Sequence, residues 1–175
     1  ANFKKIDDTR LDLILKIAKK MKNIEFHILG GPNIDIPKFK KIATSNCIFY
    51  GNIEFAKVHK ILIQFDLLLA PYSQVVSIGK GKMDIGKWMS PLKIFEYMAI
   101  GKPFITSKME VLEEFLVDGS DAILAKPDDV NDWIIKIRYM QQNPDTMLRM
   151  SKALRLKFIK NFTWDQRAKN LLLEI

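Results

Sequence analysis

The chain has 175 residues, the length of a single domain, and its composition (48% hydrophobic, 27% charged) is that of a globular protein rather than a disordered one. The formal net charge of +8 favours anionic partners, but only five of the 28 basic residues are arginine, which argues against sequence-specific nucleic-acid binding. No apolar run reaches the roughly 18 residues that a membrane-spanning helix needs.

Helical and strand patterns alternate along most of the chain, which is typical of an α/β protein with a parallel sheet. Apolar spacing assigns Leu11, Ile14, Leu15 and Ala18 to the buried face of the first helix. In chain order we predict a helix over residues 10–22, strands over 24–29 and 47–50, a helix over 55–65, strands over 66–70, 104–106 and 122–124, and a helix after residue 128.

The last third of the chain is predicted to be helical, with interruptions at residues 143–144 and 162–163. Together these elements predict a Rossmann-like parallel sheet of about five to six strands flanked by helices. We expect residues 1–175 to form one domain. In such open sheets, ligands bind outside the carboxyl ends of the strands.

Residues 90–103 carry the clearest local signal. Ser90 is a good N-cap and Pro91 suits the first helical position, so a helix is predicted to begin there. Gly101, followed by a lysine and a proline, ends it.

The same helix places two charged residues near its start. Leu92, Phe95 and Ala99 are predicted to form its apolar face, with Glu96 at the margin of that face. Lys93 is three residues before Glu96, so a simple surface ion pair is one interpretation. The other is a ligand site, because a carboxylate at the edge of a core needs a partner and a helix start favours an anion.

Residues 90–103 resemble the donor-binding signature of GT-B retaining glycosyltransferases of the group 1 type. The likeness continues, in the family's order, through residues 102–107, 110–114, 118–119, 124–128 and 162–165. It implies the C-terminal donor-binding domain of a two-domain enzyme that transfers a sugar from a nucleotide sugar to a glycan or lipid-linked acceptor. It further implies retention, no bound metal, and a UDP-sugar donor in preference to a GDP-sugar.

The resemblance assigns roles to residues on this helix and in earlier loops. Glu96 would hold the ribose hydroxyls. Lys93, the Leu92 backbone N–H and the Ser90 hydroxyl would face the diphosphate, although Ser90 also fits a plain capping role. The remaining candidates are Asn52 and Ile53, whose loop would reach the nucleobase or simply turn the chain, Gly31 for close backbone approach, and Arg10 for the diphosphate.

One departure from the family's pattern concerns catalysis. Trp88 stands where the fuller signature has a second glutamate, and Asp84 is the nearest carboxylate upstream. Asp84 and Lys93 are therefore candidates for a catalytic role. Nothing in the spacing of His, Cys, Asp and Glu predicts a metal site, and the tryptophans are interpreted as packing residues.

Partners and location follow from the same considerations. The resemblance implies an N-terminal acceptor-binding domain, and the positive charge adds a peripheral contact with an anionic membrane. A single cysteine, Cys47, favours a reduced, cytoplasmic setting, at the inner membrane face if such a contact forms.

Three other functions remain open. One is a nucleotide-binding domain that has lost catalysis, which the missing glutamate favours. The second is a basic nucleic-acid-binding module, which rests on charge alone. The third is a nucleotide-sugar epimerase of similar two-domain build, for which no proton-abstracting base is evident.

Overall fold

The structure is a computed structural model that describes residues 10–73 and 91–173. Within these stretches lie five strands: β1 (Phe26–Leu29), β2 (Cys47–Gly51), β3 (Leu68–Ala70), β4 (Phe104–Ser107) and β5 (Ile123–Ala125). The helices there are α1 (Leu11–Lys20), α2 (Ile36–Ile42), α3 (Phe55–Leu62), α4 (Leu92–Ile100), α5 (Glu110–Glu113), α6 (Val130–Gln142), α7 (Pro144–Asn161) and α8 (Trp164–Leu173).

The five strands that the structure describes pair with one another in parallel, which confirms the predicted α/β class with a helical C-terminal third. The strands form two hydrogen-bonded sheets, however, one of order β1-β2 and one of order β3-β4-β5. Phe26 lies opposite Cys47 in the first sheet, and Leu68 lies opposite Phe104 in the second. The prediction of one continuous sheet therefore differs from the pairing of the described residues, because sequence periodicity identifies strands but not their neighbours.

One core cluster joins the two sheets. Phe26 of β1 and Ile105 of β4 pack into the same buried cluster, which α1 and α6 complete. Trp133 of α6 is fully buried there, and its indole N–H donates to the Lys126 carbonyl at 2.9 Å. Both sheets are thus held by shared apolar burial.

The buried face of α1 differs in part from the predicted one. Leu15 is only half-buried, whereas Leu13 and Ile17 are almost fully buried. The reason is that α1 contacts both the sheet and α6, so its buried arc is wider than a single stripe.

A second core cluster lies between α4, α7 and the second sheet. Ile94 and Met98 of α4, Phe104 of β4 and Leu154 of α7 are fully buried in it. Gly101 ends α4 in the left-handed conformation (φ 71°), as the sequence predicts, and Arg155 of α7 packs directly against it.

The described tryptophans, Trp133 and Trp164, differ in burial. Trp133 is a packing residue, as expected, but Trp164 is 82% exposed, so that interpretation was wrong for Trp164. Its place at the first position of α8 leaves the ring outside the core.

The described helices include none with the length and apolar character needed to cross a bilayer.

Candidate functional site

The carboxyl ends of β3 and β4 are fixed to each other by side-chain hydrogen bonds. Ser107, at the end of β4, accepts from the Tyr72 backbone N–H and donates to the Tyr72 carbonyl, both at 2.8 Å. Thr106 donates to the Ala70 carbonyl at 2.9 Å. The Tyr97 hydroxyl of α4 donates to the Leu69 carbonyl at 3.3 Å. Tyr72, two residues after β3, is therefore fixed to the end of β4, which suits a binding site.

Helix α4 begins at Leu92, with Pro91 as the capping residue. The Pro91 carbonyl accepts from the backbone N–H groups of Ile94 and Phe95, at 2.9 and 3.3 Å. The prediction placed the cap one residue earlier, at Ser90, which lies outside the described residues.

The predicted apolar face of α4 was wrong in part, although Phe95 does pack against the second core cluster. Ile94, Tyr97 and Met98 are the buried residues, whereas Leu92 is 67% exposed. The cause is tertiary, because β3 and α7 both contact α4 and together bury a different side from the one that spacing selects.

Glu96 and Lys93 lie on the half-buried side of α4 and do not pair with each other. The Lys93 ammonium lies over the Tyr72 ring, 5.9 Å from its centroid. Glu96 is half-buried and forms no hydrogen bond or ion pair with any other residue in the described part of the chain. A simple surface ion pair therefore does not explain the Glu96 carboxylate.

Electrostatic interactions link Glu96 to Lys93 and to Tyr72. Burial raises the pKa of Glu96 above its ordinary value, and the nearby Lys93 charge partly offsets this shift. Burial, reinforced by the Glu96 carboxylate, raises the pKa of the Tyr72 phenol well above its ordinary value. The phenol thus stays neutral near a carboxylate and a cation. A carboxylate that is costly to ionise and lacks a hydrogen-bond donor is suited to accept one from a ligand.

The loops after β1 and β2 are fastened to each other. Gly30 donates its N–H to the Gly51 carbonyl at 2.8 Å, and the Asn33 side chain accepts from the Asn52 N–H at 2.9 Å. Gly31, next in the chain, has φ 83° and open space around its Cα. The Asn52 N–H is therefore already bonded to Asn33. The Ile53 backbone has no such partner among the described hydrogen bonds.

Arg10 lies immediately before α1, with φ 44°. Its guanidinium pairs with Asp12 at 3.1 Å and with Asp128, which follows β5. Its hydrogen bonds to Asp12 and Asp128 raise the pKa of Arg10, although burial opposes the shift. A diphosphate would have to compete with two carboxylates for this side chain, so the role of Arg10 stays a prediction.

Three predicted residues, Ser90, Asp84 and Trp88, lie outside the described residues. Within residues 10–73 and 91–173, no three His, Cys, Asp or Glu side chains lie close enough together to hold a metal ion.

Sequence reasoning missed Tyr72, Ser107 and Asn33. Tyr72 and Ser107 follow predicted strands, so the rule that ligands bind at the carboxyl ends of strands was the available signal.

Solved glycosyltransferase structures superpose on nearly the whole chain. A TarM variant from S. aureus, in complex with Fondaparinux, alpha-GlcNAc-glycerol and UDP, matches 95% of this chain and 33% of its own, with a TM-score of 0.73 and 19% identity. Anabaena HepE in complex with UDP-glucose matches 95% of this chain and 46% of its own, with a TM-score of 0.73 and 13% identity. The C-terminal domain of the group 1 glycosyl transferase LpcC from Francisella tularensis matches 90% and 81%, with a TM-score of 0.67 and 14% identity.

These likenesses define the fold as the Rossmann-like domain of GT-B glycosyltransferases. The family model described as glycosyl transferase-like matches residues 10–173, and the chain therefore belongs to that family. It spans less than half of the TarM and HepE chains. None of the curated proteins is significantly similar to it.

Proposed function

We propose that this chain is the donor-binding half of a glycosyltransferase that uses a nucleotide sugar, with a UDP-sugar favoured over a GDP-sugar. Membership of the family supports sugar transfer. The structures of HepE with UDP and with UDP-glucose support a uridine donor. The match to 81% of an isolated C-terminal domain, against a third of the longer TarM chain, supports the assignment to one half of a two-domain enzyme.

The observation that carries the proposal is the Glu96 carboxylate. It is half-buried on α4, its pKa is raised by burial, and it lacks a hydrogen bond in the described part of the chain. A vicinal diol, such as that of a ribose, offers two O–H donors to one carboxylate. These two O–H donors would supply the hydrogen bonds that no described residue gives to the Glu96 carboxylate. A hydrogen bond to a charged acceptor is among the stronger ones.

Lys93 and the start of α4 supply the positive charge for the diphosphate. Lys93 is one turn closer to the helix start than Glu96, and helical side chains lean towards the N-terminus. Leu92 adds a backbone N–H of the first turn, which has no carbonyl partner within its own helix. A ribose at Glu96 and a diphosphate at the helix start are adjacent groups of one nucleotide.

The chemistry assigned to this half is stabilisation of the leaving group. When the bond between the sugar's anomeric carbon and the diphosphate oxygen breaks, negative charge develops on the departing nucleoside diphosphate. Lys93 and the helix-start N–H groups are positioned to stabilise that charge. Retention of configuration, independence of metal, and an acceptor (a glycan or a lipid-linked one) held by an N-terminal domain complete the proposal. The isolated half would bind donor and turn over poorly.

Calorimetric titration with UDP and GDP tests the donor site. We expect UDP to bind and the Glu96→Ala variant to lose roughly tenfold or more in affinity, because a charge-assisted hydrogen bond is worth about 1.5–3 kcal/mol. Glu114→Ala, an exposed glutamate on the C-terminal side of α5, is the matched control and should bind as the parent does. Equal affinity of the Glu96→Ala variant and the parent would refute the ribose assignment.

A further inference from the structure

The outward face of α7 combines large apolar side chains with cations. At 100° per residue, its exposed positions from 148 to 160 fall within an arc of about 140°. No acidic residue lies on this stretch of the helix. The exposed members of the face, which we call the α7 face, are Leu148, Arg149, Lys152, Arg155, Leu156, Ile159 and Lys160.

The fold does not explain this composition. Met150 and Leu154, on the opposite side of α7, are fully buried and attach the helix to the core. An outward helix face is normally polar, since exposed leucine and isoleucine contribute nothing to burial. Three of them along one solvent-facing stripe therefore call for a partner.

Most cations of the α7 face form no ion pair with any residue that the structure describes. Arg155 donates to the Ala99 carbonyl, which leaves its charge without a counter-ion there. Arg149, Lys152 and Lys160 make no ion pair with any residue that the structure describes. Lys157, by contrast, is off the face and is neutralised by Asp121 at 2.5 Å. Arg149, Lys152 and Lys160 therefore remain as unpaired cations among the described residues, whereas the buried Asp121 carboxylate is already paired with Lys157.

We propose that the α7 face docks the protein on a membrane surface rich in anionic lipid. The stripe from Leu148 to Lys160 is about 18 Å long, at 1.5 Å per residue, so α7 would lie in the plane of the interface. Leu148, Leu156 and Ile159 would enter the boundary of the acyl chains, and the cations would contact lipid phosphates.

The composition favours a lipid surface over the other anionic partners. Nucleic acid attracts cations but offers no acyl region for three exposed aliphatic side chains. Trp164 is 82% exposed and lies three residues beyond the end of α7, and tryptophan is enriched at membrane interfaces. Asp145, three residues before Leu148, is on the same side of α7 but lies beyond the N-terminal end of the α7 face, and Asp165 lies on α8. This proposal does not depend on the donor site, which lies nearer the start of α4 than its Gly101 end, where α7 packs.

Co-sedimentation of the full chain with vesicles tests the proposal. We expect binding to phosphatidylcholine vesicles that contain phosphatidylglycerol, weak binding to phosphatidylcholine alone, and loss of binding in high salt. The double variant Leu156→Glu/Ile159→Glu should bind roughly tenfold or more weakly, because it places two charges where apolar chains insert. Its circular dichroism and unfolding midpoint should match the parent, since both side chains are at least half exposed.

The matched control is Ile42→Glu/Ile63→Glu. Its two residues are 67% and 51% exposed, against 68% and 50% for Leu156 and Ile159, and it changes the net charge equally. Full vesicle binding by this control and loss in the α7 variant would support the proposal. Equal loss in both variants would overturn it in favour of attraction by net charge. Absence of vesicle binding, or a dimer in ultracentrifugation that only the α7 variant dissociates, would also overturn it.

Discussion

Replacing Gly51 by alanine should destabilise the protein through two separate effects. Gly51 has φ 68°, and a non-glycine residue in this left-handed region costs about 1–2 kcal/mol. An added Cβ would also lie 2.1 Å from the Asn33 side-chain oxygen and 2.8 Å from Ile36 Cδ1. Asn33 must then move and release the Asn52 N–H, and a lost hydrogen bond is worth about 1 kcal/mol. We expect a total of about 2–3 kcal/mol in the free energy of unfolding.

Gly119 provides the matched control for backbone strain alone. It has φ 76°, but an added Cβ there would have no neighbour within 4 Å. Gly119→Ala should therefore cost about 1–2 kcal/mol, the strain without the collision. Urea unfolding followed by circular dichroism measures both variants on one scale.

A double-mutant cycle isolates the collision. Asn33→Ala alone removes one hydrogen bond and should cost about 1 kcal/mol. In the Gly51→Ala background it should cost almost nothing more, because that hydrogen bond is already broken and the collision is removed. If Gly51→Ala costs no more than Gly119→Ala, or if the two single effects add fully, the close approach of Asn33 to Gly51 does not exist in solution and the reasoning fails.

Two further predictions concern the dependence of stability on pH. Because burial raises the pKa of Glu96, its ionisation weakens the folded state as the pH rises through that raised value. Glu96→Gln should therefore unfold at a higher urea concentration than the parent at pH 7, with the difference vanishing below about pH 4. A less stable Glu96→Gln variant at pH 7 would contradict this account. Asp132 behaves oppositely: burial raises its pKa, but the Lys126 N–H and the Lys136 ammonium outweigh burial and lower it overall. Its stabilisation should be present above about pH 4 and lost as the pH falls through the lowered value, so Asp132→Asn should be destabilising at pH 7 and progressively less so in acid. If the loss of stability in Asp132→Asn is the same at pH 7 and in acid, the lowered pKa of Asp132 is refuted.

The Glu96 prediction separates stability from function in one residue. A carboxylate that costs stability in the free protein but accepts hydrogen bonds from a ligand is the pattern expected of a binding site. Glu96→Gln should be more stable than the parent and bind UDP more weakly. Both the gain in stability and the loss of UDP affinity follow from the burial of the Glu96 carboxylate, and the two are measured independently.

The sequence by itself determined most of the elements and their order, although α2 and α5 were not predicted. Gly101 ends α4 in the left-handed conformation, and Asn143 separates α6 from α7, at the interruption predicted for residues 143–144. These signals act within a few residues, so they do not depend on which other elements pack against the segment. The alternation of helices with short apolar strands likewise identified the α/β class, and the pattern of residues 90–103 indicated the family.

Only the tertiary structure decided which faces and loops meet. Arg10 pairs with Asp128 across 118 positions of sequence, and Tyr72 is held by Ser107 of another strand. The buried side of α4 was predicted wrongly in part, because contacts with β3 and α7, and not the local apolar spacing, determine it. Long-range contacts depend on how elements pack, and packing responds to the summed shape and burial of many side chains. That dependence is why the sequence identified Glu96 and Lys93 as candidates, while their separation from each other and the approach of Tyr72 required the fold.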